Sequence, residues 1–409
     1  FLLLPLYTSL LSTSQFGRIS LVNSVSGLLL IFFLFGTQSV ISRLYFEYKD
    51  NEEKLKRFLG TVFLSKLIWN VCLAGLLLLG RSYIFPIIGK GVDFYPFMLI
   101  ALGVSFFSSI FRLYQVLQQT QQEGSKYVYM QVAYLILNNG ISVLLLVVFN
   151  MKDTGIILGT LISEILMFVY TLFKLRKKIS FVIDKDILKE GWAFSWPIFL
   201  DALFGWCLGS INKLILNNLV SVDIVGIYTI GFTIAGVINM GTVALNRSYT
   251  PWFFSRMKKE NNDNRNILRF SEFIIFVYSI AALALSLFGR EVVTLFIQKS
   301  YGSAWMVIPF LSFGYVFYGL YFFFLNIFNY QKRAVKYIPL YTLLSALINV
   351  ALNYILIPHF GMAGSACASL ISMFLLSLFT YFGSKKFINL GYSYKRMFLL
   401  IFIPFLLSC

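Results

Sequence analysis

Histidine is all but absent from this 409-residue chain: His359, just after Pro358, is the only one. That removes the commonest general base and the commonest metal ligand from the chemistry it can offer. Charge is scarce too, at 12% of residues, against roughly 25% in an ordinary soluble domain. Acidic residues are scarcer than basic ones, 17 against 34. The four cysteines, Cys72, Cys207, Cys367 and Cys409, all fall in apolar stretches. Neither a disulfide framework nor a metal cluster is indicated, and they are expected to pack as small hydrophobes. No basic start with a cleavage site precedes the first apolar run, which opens Phe-Leu-Leu-Leu-Pro-Leu-Tyr and is expected to be the end of a truncated first span rather than a signal peptide.

What is there is apolar. Hydrophobic residues make up 58% of the chain, with 44 Phe and 24 Tyr, so the solvent of the fold is lipid and Tyr and Trp serve as interfacial anchors. A spanning helix needs about 20 mostly apolar residues. On that template spans are expected near 1–10 (a remnant), 19–43, 60–80, 96–118, 127–149, 154–173, 191–216, 224–253, 269–289, 304–328, 337–357 and 363–383, with a last run from 397.

The net charge of +17 does not indicate nucleic acid, because the basic residues punctuate hydrophobic runs instead of gathering on one soluble face. The loops after even-numbered spans carry 24 Lys and Arg, and the opposite loops carry only Arg18, Arg81, Lys90, Lys152, Arg290 and Lys299. Positive charge stays on the cytoplasmic side, so even-numbered spans are expected to end there and the N-terminus to be cytoplasmic.

A shift of 209 residues aligns two distant pairs of segments. Ser12, Gly17 and Gly27 fall on Ser221, Gly226 and Gly236, while Gly155 and Leu161-Ile162-Ser163 fall on Gly364 and Leu370-Ile371-Ser372. After a four-residue slip, Gly36-Thr37 with Arg43 matches Gly241-Thr242 with Arg247. Six spans separate equivalents, so both halves share one orientation, as in transporters built from parallel repeats. Two pseudo-symmetric six-helix bundles are expected, 1–174 and 191–384, joined by a cytoplasmic linker at 175–190 and followed by extra C-terminal span(s) in 385–409. A central cavity between the bundles follows from that symmetry.

The stretch Leu-Pro-Leu-Tyr-Thr-Ser-Leu-Leu-Ser-Thr-Ser-Gln-Phe-Gly at 4–17, followed by the Gly36-to-Arg43 segment, resembles the Wzx-type O-antigen flippases, a family of bacterial polysaccharide exporters. Ser210-Ile211-Asn212-Lys213 through Val225-Gly226-Ile227-Tyr228 is similar to that family's seventh-span motif. The resemblance implies the multidrug/oligosaccharidyl-lipid/polysaccharide (MOP, MATE-like) fold, an all-α polytopic membrane protein of 12–14 transmembrane helices in the bacterial cytoplasmic membrane. It implies a flippase that moves an undecaprenyl-pyrophosphate-linked repeat unit between leaflets for O-antigen, capsule or exopolysaccharide synthesis. Polysaccharide polymerase and chain-length regulator proteins would be its partners. One departure stands out: the family often has an acidic residue before the span-7 cation, and this chain has Asn212-Lys213.

Ionisable residues inside spans cost roughly 2.5–3.5 kcal/mol each on insertion scales, which makes them functional candidates. Lys66, Arg112, Lys213 and Arg247 lie within spans, with Arg18 and Arg43 nearer the ends. All are cationic. Together they would give a substrate-binding cavity suited to a pyrophosphate, Arg with its planar fork and Lys as a point charge; snorkelling to the interface is the rival reading for Arg18, Arg43 and Arg112. Asp201 and Glu164 alone bring negative charge to span interiors and are candidates for H⁺ or Na⁺ coupling, Asp201 alternatively for partnering a cation on another helix and Glu164 for pairing or facing the cavity. Pro197 and Pro251 are candidate hinges or static kinks. The amides Gln118, Gln119, Gln121 and Gln122, with Asn326, Asn329 and Gln331, suit either sugar recognition or a solvated helix end. The Phe313-to-Phe328 stripe is expected to face lipid.

An enzyme is the main alternative from another class. Asp184-Lys185-Asp186 matches the D-x-D pattern of a metal-dependent glycosyltransferase or polymerase, but a solvated charge run explains it better, and no loop holds a nucleotide-sugar domain. No cofactor, no metal and no catalytic residues are therefore expected. Among transporters, a drug/cation antiporter would favour acidic intramembrane groups, and a lipid II flippase remains open because lipid II is also a polyprenyl pyrophosphate.

Overall fold

The computed structural model describes residues 3–258, 264–331 and 333–408. Phe1, Lys259, Lys332 and Cys409, used above for the first span, the charge count and the cysteines, lie outside the described residues. The chain is an all-α, multi-pass membrane protein. Its helices are α1 (Leu4–Leu10), α2 (Thr13–Leu34), α3 (Thr37–Tyr48), α4 (Glu52–Leu79), α5 (Arg81–Ile88), α6 (Leu99–Thr120), α7 (Gly124–Val147) and α8 (Lys152–Leu175). There follow α9 (Lys185–Leu219), α10 (Val222–Met257), α11 (Asn264–Leu287), α12 (Gly289–Phe296), α13 (Ile308–Tyr330), α14 (Ile338–Lys385) and α15 (Tyr394–Ser408).

Among the described residues ten helical stretches are long and apolar enough to cross a membrane. The last, Val335–Lys385, has 51 residues, and as one rod it would measure roughly 76 Å, against a hydrocarbon core of about 30 Å. It is two passes. Gly361 breaks it with φ +56°, and three residues on Gly364 lies so close to the Leu356 carbonyl that a Cβ would overlap it. The Ser365 hydroxyl donates to Asn353 Oδ1 at 2.9 Å, a contact between residues that would lie about 18 Å apart on one helix. The expected spans 337–357 and 363–383 are the two arms of this hairpin. The span expected at 19–43 lies within one apolar stretch, Thr13–Tyr48, which turns at Gly36 with φ +69° between α2 and α3.

The chain folds as two compact units, one of Phe1–Gly17 with Cys207–Cys409 and one of Arg18–Trp206. In the first, α13 is the centre. Phe313, Phe324 and Phe328 are fully buried, and Phe317 and Phe323 nearly so, because α10, α11, both arms of α14 and α15 surround the helix. The stripe expected to face lipid is the core of this unit, an aromatic run that signals burial on all sides rather than exposure. Asn326, also expected at a helix end, is buried, donating to Asn246 Oδ1 and accepting from Thr250.

In the other unit, a core of Val40, Ile41, Leu44, Phe58, Leu59, Phe111, Leu113 and Leu117 joins α3, α4 and α6. Residues 180–184 are stitched onto the start of α4: Ser180 N–H donates to the Lys56 carbonyl, and Thr61 bridges the Val182 carbonyl and the Asp184 amide. Residues 185–190 are already the first turns of α9.

Candidate functional site

Within the Arg18–Trp206 unit each predicted cation has its own setting. Arg18, near the start of α2, places Nε 2.7 Å from Asp153 Oδ2 and its guanidinium 5.6 Å from the centre of the Phe97 ring. Asp153 is 5% exposed and stands in the first turn of α8, where the helix dipole adds to the favour for a carboxylate. Arg43 is exposed on α3 and stacks 4.0 Å over Phe194 of α9. Arg112 is exposed on α6, its Nε donating to Ser108 at 3.2 Å.

Lys66 differs from these. It is 3% exposed in the middle of α4 and forms no ion pair among the described residues. A cavity of about 260 Å³ opens at its side chain, walled by α3, α4 and α9. The corner exists because two glycines allow the backbones to close: Gly36 lies against the Ser195 carbonyl, where a Cβ would overlap it, and Gly191 rests on Val40. Phe35, Trp69, Trp192, Trp196 and Phe199 form the aromatic cluster around this corner. Cys72, expected to pack as a small hydrophobe, is exposed and lines the cavity, since its helix face turns away from the α6 side that buries Asn70 and Phe63.

Glu164 is 2% exposed on α8 and accepts a hydrogen bond from the Tyr134 hydroxyl at 2.8 Å. It forms no ion pair among the described residues. Asp201 is half-buried on α9, four residues beyond Pro197. Neither Pro197 nor Pro251 breaks its helix; α9 and α10 run through them.

In the other unit Lys213 is half-buried with Nζ 4.5 Å over the Phe232 ring, and Arg247 is exposed on α10. Beside Lys213 lies a buried network that charge-based reading passes over. Asn212 donates to Ser369 at 2.7 Å, Asn353 donates to Asn212 Oδ1 at 2.8 Å and to the Asn349 carbonyl at 2.8 Å, and Ser365 closes the chain onto Asn353. All five side chains are buried. The signal was available: Asn349 and Asn353 stand at i and i+4 in an otherwise apolar run, where amides need each other. Every member is neutral, so Asn212 ties α9 to both arms of α14 without a charge.

Asp184 has a structural occupation. Its Oδ1 caps the start of α9 by accepting from the Asp186 and Ile187 amides, and its Oδ2 lies 3.0 Å from Arg57 Nε. Among the described residues no cluster of His, Cys, Asp and Glu could hold a metal ion.

This is the architecture of a polytopic all-α membrane protein: helices throughout, hairpins closed by glycine contacts, and cationic side chains within the span-length helices. Solved structures agree on the fold. An inward-facing multidrug resistance MATE family transporter of the MOP superfamily superposes with TM-score 0.75 at 16% identity, covering 93% of this chain and 92% of that one. The inward closed conformation of the lipid II flippase MurJ gives 0.67 at 15% identity, over 100% of this chain and 92% of that one. The chain belongs to the polysaccharide biosynthesis protein family, whose model matches residues 7–309. A curated relative, the Lsg locus putative protein 1 of Haemophilus influenzae, is 23% identical over 318 residues, 76% of each chain.

Proposed function

We propose that the protein is a flippase that carries undecaprenyl-pyrophosphate-linked oligosaccharide repeat units from the inner to the outer leaflet of the bacterial cytoplasmic membrane by alternating access. The observation that carries this reading is Lys66. A buried ammonium with no carboxylate beside it is expensive, and in a polysaccharide-family chain with a transporter fold its natural counter-ion is the substrate's pyrophosphate. Lys213, held over Phe232 beside the Asn212 network, and Arg18, Arg43, Arg112 and Arg247 are the further cations this reading assigns to substrate binding.

The polyprenyl tail stays in lipid while the headgroup crosses, so no chemistry on the glycan and no cofactor are needed. Coupling to H⁺ or Na⁺ falls to Glu164 or Asp201, the acidic residues at membrane depth. The N-terminus is cytoplasmic in this reading, and polymerase and chain-length regulator proteins take the product onward. Neutralising Lys66 or Lys213 tests the assignment: Lys66→Gln and Lys213→Gln should each lower glycan export while membrane abundance stays the same. Wild-type export from both variants would remove the cationic site.

A further inference from the structure

Among the described residues Lys66 is the only cationic side chain lining the α3–α4–α9 cavity, and two of the cavity's hydroxyls have their protons spent on the backbone. Thr37 donates to the Leu34 carbonyl at 2.6 Å and Ser65 to the Val62 carbonyl at 3.1 Å. Each therefore turns lone pairs, not protons, toward a ligand. The walls are two indoles set edge to face, Trp69 and Trp192, with centroids 6.2 Å apart. Trp69 is fixed by its N–H on the Phe32 carbonyl at 3.0 Å, while Trp192 is half-exposed.

We propose that this cavity is a glycosyl-phosphate site, in which the Lys66 ammonium takes the phosphate and a sugar ring lies against the exposed Trp192 indole, its hydroxyls donating to Thr37 and Ser65. The complementarity lies in three features: one cation asks for an anionic acceptor, the Thr37 and Ser65 lone pairs ask for donors, and the Trp192 indole asks for a ligand with an apolar face. A bare inorganic anion meets only the first demand and a fatty acyl chain only the last. At about 260 Å³ the cavity is smaller than the roughly 300–1,000 Å³ that holds a complete drug-sized ligand. It takes one sugar and its phosphate, leaving the rest of the glycan outside. The assignment rests on the flippase reading above and names the part of the substrate bound here.

Cys72 in the same wall supplies a readout independent of transport. In full-length protein carrying Cys207→Ser, Cys367→Ser and Cys409→Ser, reconstituted in nanodiscs, the rate of Cys72 modification by a maleimide is measured with four probes. Undecaprenyl-pyrophosphate-linked oligosaccharide is expected to slow labelling roughly tenfold, and glucose 1-phosphate at millimolar concentration to slow it several-fold. Inorganic phosphate and phosphatidylglycerol should leave the rate unchanged. Lys66→Gln should abolish protection, each variant's liganded rate being compared with its own ligand-free rate, and Lys66→Arg, which keeps the charge, should retain part of it. Equal protection by inorganic phosphate or phosphatidylglycerol, no protection by either sugar phosphate, or full protection in Lys66→Gln would each overturn the site. Transport without Cys72 protection removes this site and leaves the flippase reading intact, whereas protection without transport removes the flippase reading alone.

Discussion

Gly17 and Gly226 face each other across the crossing of α2 and α10, each seated on the backbone carbonyl four residues before the other. A Cβ on Gly17 would overlap the Val222 carbonyl oxygen, and one on Gly226 would overlap that of Thr13. The same offset of 209 that relates the two glycines relates Thr13 to Val222, so the contact is reciprocal about a local pseudo-twofold axis. Small residues at such crossings are what lets helices in lipid pack closely.

Gly17→Ala and Gly226→Ala should therefore each destabilise the protein. Overpacking costs typically about 1–3 kcal/mol, and backbone carbonyls cannot swing aside as side chains do. Gly205→Ala, where nothing lies within 4 Å of the added carbon, serves as the control and should leave the melting temperature in detergent unchanged or raised. Equal melting temperatures for all three variants would mean that the crossing is not close-packed.

The buried amide network predicts a second cost. Asn353 bonds Asn212 and the Asn349 carbonyl and accepts from Ser365, so Asn353→Ala strands several buried groups at about 1–3 kcal/mol each before relaxation. Thermal unfolding should show a larger drop than for Asn329→Ala, at an exposed helix end. A drop no larger than that of the control would indicate that water replaces the lost amide.

Arg18 and Asp153 are expected to act as one unit. Asp153 is nearly buried and Arg18 about one-third exposed, so losing either partner should cost about 1–3 kcal/mol, below the 3–5 of a fully buried pair because solvent screens the Arg side. A double-mutant cycle with Arg18→Met and Asp153→Asn measures the coupling: the double variant should be more stable than the sum of the single losses predicts. Strict additivity would show that the two charges contribute independently.

Asp184→Ala separates the structural reading of the D-x-D segment from an enzymatic one. It removes an N-cap and the Arg57 pair, which costs about 1–2 kcal/mol, and glycan export should persist in proportion to the amount of folded protein. Loss of activity in fully folded Asp184→Ala, restored by added divalent metal, would point back to transferase chemistry.

Much of the fold is legible in the sequence because lipid imposes run length and glycine marks close approach. The repeat pair Gly155 and Gly364 does one job twice: each opens the second arm of a hairpin, pressed on the end of the first, at Leu145 and at Leu356. Gly27 and Gly236 do not share a job, since only Gly27 meets a neighbour, Trp206. What escaped the sequence is of two kinds. The α13 aromatic stripe reads alike whether lipid or protein surrounds it, and only the arrangement of α10, α11, α14 and α15 decides. The Asn212 network carries no charge, so a search keyed to the cost of intramembrane ions passes it by. Of the predicted site residues, the structure places Lys66 in a cavity, Arg18 in an ion pair and Glu164 on a phenol, distinctions that composition alone does not draw.

The most direct test of the account is translocation of a labelled undecaprenyl-pyrophosphate oligosaccharide in proteoliposomes of the full-length protein, with and without an imposed pH or Na⁺ gradient. The flippase reading predicts that glycan reaches the far leaflet, that Lys66→Gln slows it by at least roughly tenfold, and that a gradient accelerates wild type but not a variant lacking its coupling carboxylate, Glu164→Gln or Asp201→Asn. No movement of any lipid-linked glycan by folded protein, under either gradient, would contradict it.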